Sequence, residues 1–193
     1  MKKIFLTVCC VLFIIAGIYF AVRLLGADKP LAYKEINLGW AKTSLPFALW
    51  QNPQAKLMMQ VLNDGSSELR DTELYLSLYD KKKFSMMVLY AEFDSASKIH
   101  PKQNLADSIS NAGFKSEAKQ AFKHAQYTKE NGAIKYTYQT ETKLSNTPLL
   151  LVSVSCTKGR KTANFFGVGK NTPENKEIVE HFLAETECFP EKK

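Results

Sequence analysis

The residues able to do more than pack are four cysteines, three histidines and a few grouped carboxylates. Cys9 and Cys10 stand side by side in the apolar stretch "LTVCCVLF". Adjacent cysteines lack the two-residue spacer of a zinc knuckle. Lipid attachment at either one would leave only Ile4 to Val8 as the apolar core of a cleaved signal, shorter than the usual run of about 7–15 residues. They are read as small apolar residues in a longer run. His100, His124 and His181 match no ligand spacing and are expected to be ordinary surface or half-buried side chains. Glu177, Glu180 and His181 share a segment that reads as the solvated side of an amphipathic helix. Glu92 and Asp94 close an apolar strand and could pair for acid–base work, but two carboxylates two apart in a strand share a side readily by chance. The chain has no G-x-S-x-G, no H-E-x-x-H, no phosphate loop and no dinucleotide fingerprint. No catalytic residue, metal ligand or cofactor site is expected.

The remaining cysteines, Cys156 and Cys188, lie in the part of the chain after the apolar run. That run, Ile4 to Val22, carries no charge and follows Met1-Lys2-Lys3. It approaches the about 20 residues that cross a bilayer as a helix and exceeds a signal-peptide core. An uncleaved anchor is the first reading and a cleaved signal the second. Leu25-Gly26-Ala27 is the best cleavage candidate, but Leu25 stands where a small residue is wanted. Lys2 and Lys3 on one side nearly balance Arg23, Lys29 and Lys34 on the other. A basic start before a long apolar run places the N-terminus inside and the rest outside a bacterial inner membrane. An even pair of cysteines in an exported domain suggests a disulfide. A Cys156–Cys188 bridge is expected, with two separate buried thiols as the alternative.

The formal charge is +7, and Lys2, Lys3 and Arg23 account for three of those charges. The remainder is mildly basic. "DKKKF" is a solvated hairpin turn in this reading, and no basic helix or aromatic-basic strand argues for nucleic acid. Residues 1–27 are assigned to the anchor, 28–35 to a linker and 36–193 to one globular domain.

The elements of that domain follow from periodicity. "AYKEINLG" is a short strand. "NPQAKLMMQVLN" is a helix capped by Asn52, with Leu57, Met58, Val61 and Leu62 as its stripe. "ELYLSLYD" and "FSMMVLYAEF" form a hairpin, and the second is apolar on both faces, as a covered central strand should be. Its Met and Tyr residues fit either a core or an adaptable binding groove, and alternation favours the core. "HPKQNLADSISNAGF" is a helix with Leu105, Ile109 and Ala112 as its stripe, stopped by Gly113. "FKSEAKQAFKH" reads as a weak strand, "AIKYTYQTETK" as a clear one, and "PLLLVSVSC" and "KTANFFGVG" as a further pair. "TPENKEIVEHFLAETECF" closes the chain as a helix, buried through Ile178, Val179, Phe182 and Leu183. The class is α+β, an antiparallel sheet flanked by helices as an α/β/α sandwich, after an N-terminal transmembrane helix.

"FSMMVLYAEFDSAS", the helix "NLADSISN", the strands "AIKYTYQTETK" and "LLLVSVSC" and the closing "NKEIVEHFLAETEC" together resemble the PsbP-like fold, over about residues 36–188. That family takes in photosystem II extrinsic subunits, a Ran-binding import factor, DcrB-type envelope lipoproteins and effector chaperones. The resemblance implies binding or assembly rather than catalysis. It carries over no functional residue, and an uncleaved anchor departs from the lipidated members. A membrane-tethered, protein-binding domain is the function expected. An anchored immunity protein or chaperone is the alternative, and an enzyme with an unfamiliar site is the third reading.

Overall fold

The computed structural model describes residues 31–53, 69–79, 84–94 and 99–191. The apolar run Ile4–Val22, the helix expected after Pro53 and the Lys81–Lys83 turn lie outside the described residues. Among the described residues no helix is long and apolar enough to cross a membrane. Contacts divide the chain into Met1–Ala32 and Tyr33–Lys193, and every element below belongs to the second unit.

The strands are β1 (Lys34–Asn37), β2 (Ala41–Leu45), β3 (Trp50–Gln51), β4 (Leu69–Tyr79), β5 (Phe84–Phe93), β6 (Gln126–Glu130), β7 (Ala133–Leu144), β8 (Thr147–Lys158), β9 (Lys161–Lys170) and β10 (Glu187–Cys188). The helices are α1 (Pro101–Asn111), α2 (Lys115–His124) and α3 (Pro173–Glu185). One antiparallel sheet has the order β3-β4-β5-β9-β8-β7-β6, and a smaller one the order β1-β2-β10. Tight hairpins build the large sheet. Asn131 and Gly132 (φ 51° and 72°), and Ser145 and Asn146 (φ 47° and 67°), are left-handed at successive positions. Two such residues in a row give the turn whose twist matches the flanking strands.

Register sorts side chains onto two faces. One carries Leu74, Leu76, Met87, Leu89, Phe166, Ser153 and Tyr138 in aligned rows. Leu105 and Ile109 of α1 and Ala118 and Ala121 of α2 pack there against Leu151 and Phe166. The other face carries Phe84, Met86, Val88, Tyr90, Phe165, Val152, Val154 and Cys156, all buried. It is covered by α3, whose Phe182 ring lies 5.6 Å from that of Phe165, and by Trp40, whose ring stacks 4.9 Å from Tyr90.

Four expectations need correction. "FKSEAKQAFKH" is helix α2, not a strand. It has no β-branched residue, is rich in Ala, Lys, Glu and Gln, and buries Ala118 and Ala121 three apart. The sheet is wider than a hairpin plus four strands, because β3 and β6 extend both edges. The closing helix ends at Glu185. Its start is as expected, with the Asn175 N–H donating to Thr172 Oγ1 at 3.2 Å. Past the end, Thr186 turns extended, its hydroxyl donates to Phe182 O and lies 2.9 Å from that of Thr43, and Glu187–Cys188 pair with Lys42–Ala41. The sandwich therefore has helices on one face, and a helix plus a small sheet on the other. Ala112, expected in the buried stripe of α1, is its exposed cap.

Candidate functional site

Cys156 ends the buried row of β8, and Cys188 is brought to it by β10. The two stand at disulfide distance, with Cα atoms 5.7 Å apart and both side chains fully buried. That Cα separation lies inside the usual bridging range of about 4.4–6.8 Å. Around them is a charged group that alternation in the sequence concealed. Lys135 stands opposite Cys156 in the β7–β8 register and is only 7% exposed. Its ammonium donates to Thr186 O and lies 4.0 Å from Glu130 Oε1. The same carboxylate oxygen accepts the Cys188 N–H at 2.9 Å. Burial pushes the Lys135 pKa down, with Glu130 and Glu187 opposing. The arrangement seals the chain end onto the sheet.

The grouped carboxylates and histidines fall into separate roles. Glu92 meets Arg160 and Lys161, each at 3.8 Å, whereas Asp94 pairs with Arg70 at 2.5 Å. Glu180 is exposed, Glu177 accepts from Tyr33 at 3.5 Å, and His181 lies against the Tyr33 ring at 3.8 Å. His124 ends α2 on the surface. His100 borders a cleft with Lys102, whose ammonium sits 5.2 Å over the exposed Phe122 ring. Among the described residues no three His, Cys, Asp or Glu side chains gather as a metal site.

A second cluster joins β4 and β5 to the small sheet. Glu73 Oε2 accepts from Trp40 Nε1 at 3.0 Å and from the Tyr75 hydroxyl at 2.7 Å. Burial first, and the Glu73 carboxylate second, push the Tyr75 hydroxyl up to about 12. Burial and Glu92 raise Tyr90 as well.

A broad groove lies on the opposite face. Helix α1 packs on β7, β8 and β9, and between it and the β4–β5 side of the sheet is a groove of about 920 Å³. Its floor is apolar: Leu76, Met87, Leu89 and Phe93, with Phe166 and Val168 beyond. Its α1 wall is polar, through Asn104, Ser108 and Asn111. The groove reaches Leu76, on the strand beside edge strand β3. There Trp50, 77% exposed, stands directly across β3–β4 from Leu76, 41% exposed. Met86 is core, at 2% exposed, and half-buried Met87 borders the groove while packing against the core cluster under α1 and α2. Trp50 and Lys135 were not singled out by sequence. A lone Trp in a two-residue strand has no period to mark it.

Fold and site together define an antiparallel α+β domain with an apolar groove that reaches the strand beside a sheet edge. Similar solved structures include a protein of Bacteroides thetaiotaomicron, at 9% identity and TM-score 0.42, over 83% of this chain and 50% of that one. They also include the cyanobacterial PsbP protein (CyanoP) of Synechocystis, at 10% identity and TM-score 0.46, over 84% of this chain and 96% of that one. The chain thus spans about half the length of the Bacteroides structure, and a PsbP protein stands among its structural neighbours. No protein-family model matches the chain, and no curated protein does.

Proposed function

We propose that this chain is a non-catalytic binding protein, tethered to a bacterial inner membrane through Ile4–Val22, whose domain works outside the cytoplasm and docks a protein partner. The observation that carries the reading is the exposed pair of Trp50, on edge strand β3, and Leu76, opposite it on β4. Tryptophan is enriched among residues that dominate interface energies. An edge strand offers unpaired backbone groups to an incoming extended segment. The disulfide-distance pair supports an oxidising compartment. The docking edge lies away from the α3 stripe, where Phe182 is fully buried. Partner recovery from intact cells tests the reading. Trp50→Ala should lower recovery about tenfold while stability stays within about 0.5 kcal/mol, as for other surface changes. Unchanged recovery would remove Trp50 from the interface. Alkaline phosphatase fused after Leu25 should be active, and an inactive fusion would reverse the orientation.

A further inference from the structure

As a helix, α2 sorts its charges. In a strand, Lys115, Glu117, Lys119 and Lys123 would share one side, an acid among bases. On the helix, Lys115, Lys119 and Lys123 stand four apart on one face, and Glu117, two positions from its neighbours, turns away from them. The Glu117 carboxylate accepts from the Thr142 hydroxyl on β7. All three lysines are exposed, and none has an ion pair among the described residues. Like charges four apart destabilise a helix. Lys115 also stands in the first turn, where the helix dipole disfavours a cation. The row is therefore a local cost that a surrounding anion would relieve.

Aromatic rings stand beside the row. Exposed Phe122 lies on the lysine face, three positions after Lys119. Phe122 and Tyr136 line one cleft. Tyr136 in turn lies 5.4 Å from the ring of exposed Tyr127 on β6. Exposed Lys129 is on the same side of β6 as Tyr127. Glu130 is turned to the other side, toward Lys135. Lysines mixed with exposed rings are the composition that settles on an anionic bilayer, with charge drawn to headgroups and rings entering the interface. The tether adds reach. Between Val22 and the start of the domain unit at Tyr33, residues 23–32 span at most about 36 Å when fully extended. That gives the bilayer an effective concentration that a free acidic protein does not share.

We propose that the α2 face, with Lys115, Lys119, Lys123 and Phe122 and with Tyr127 and Lys129 beside it, docks on the anionic phospholipid surface of the membrane that holds the chain. The proposal rests on the tether in the reading above. It leaves the Trp50 edge to a protein partner, since β3 and β6 are opposite edges of the large sheet.

The test uses the full chain in nanodiscs that carry a doxyl-labelled phosphatidylcholine quencher. The discs are made of phosphatidylcholine alone or of phosphatidylcholine with phosphatidylglycerol. A fluorescent amino acid replaces exposed Ser116, three positions before Lys119, or exposed Glu180 on α3 as the control. Position 116 should be quenched in phosphatidylglycerol discs and not in phosphatidylcholine discs, and position 180 in neither. Salt at about 1 M, where the screening length is about 3 Å, should abolish the quenching. Lys115→Glu, Lys119→Glu and Lys123→Glu together should lower the docked-to-undocked ratio at least about tenfold. Lys115→Arg, Lys119→Arg and Lys123→Arg together should keep it. Retention in phosphatidylcholine discs through a wash at about 1 M salt reads the tether by itself. A chain that washes out, yet is quenched at 116 in phosphatidylglycerol discs, would sink the tether and leave this face standing. Equal quenching in both lipids, quenching that survives salt or the glutamate changes, or equal quenching at 116 and 180 would each overturn the proposal. So would no quenching in phosphatidylglycerol discs, and a salt-sensitive anisotropy change at 116 with polyglutamate would then assign the face to an acidic protein.

Discussion

Glu73 shows how much one carboxylate can organise. It takes the indole N–H of Trp40 and the hydroxyl of Tyr75 on one oxygen, and so ties the small sheet to the large one. The Tyr75 hydroxyl is raised to about 12 in the fold, against about 10 in an unfolded chain. The neutral hydroxyl is therefore the form the fold favours. Its contribution is fully present below about pH 10 and is lost as pH rises from there to about 12. Tyrosinate absorbance should show late-titrating rings, and Glu73→Gln should move one of them toward 10. A titration unchanged by that substitution would separate Tyr75 from Glu73. The cysteines make a second prediction at this scale. Replacing Cys156 and Cys188 by alanine should lower stability by about 3–4 kcal/mol in urea unfolding, the chain-entropy value for a loop of this size. Two free thiols in the non-reduced native protein, with no loss of stability in the double variant, would contradict a bridge. The approach of the two cysteines to disulfide distance could be anticipated from their even number. Lys135 could not, because alternation with Ile134 and Tyr136 put it on the polar side, and only register sets it against Cys156.

Among the elements, β9 owes its place beside β5 to two glycines. A Cβ on Gly169 would meet the Phe84 ring at 2.5 Å and its Cα at 3.1 Å, and one on Gly167 would meet Phe84 and Val152 at 2.9 Å. Phe84 is fully buried, so the ring lies across β9 only where side chains are missing. Gly169→Ala should cost about 1–3 kcal/mol through overpacking, read as a lower melting temperature. An unchanged melt would mean that Phe84 moves freely. Long periodic elements were legible in the sequence: β4, β5, β7, β8, β9, α1 and most of α3. Of the short ones only β1, within "AYKEINLG", was. Strands of two to five residues such as β2, β3 and β10 hold too few positions to show a period. Helix α2 was missed because "FKSEAKQAFKH" was read as a weak strand, while the spacing of Ala118 and Ala121 was the better signal. The groove was invisible for a related reason. Its floor and its wall come from strands and a helix that only the assembled sheet sets side by side.

At the scale of the molecule, two faces of one sheet have different fates. The face under α3 is closed: Phe165, Val152, Val154 and Phe182 are fully buried. Phe182→Ala should therefore cost about 3–5 kcal/mol and lower stability before it lowers any binding. Among the described residues the other face is uncovered along β4 and β5, and Trp50 stands exposed across from Leu76 at its edge. The central claim is that a protein partner docks at that edge. A photo-crosslinking amino acid placed at Trp50 in living cells tests it most directly, with Leu144, another exposed apolar position at 59%, as the control. The account predicts one discrete crosslinked species from position 50, none from position 144, and loss of the species when Leu76 is changed to Asp. Capture from position 144 with none from position 50 would contradict it.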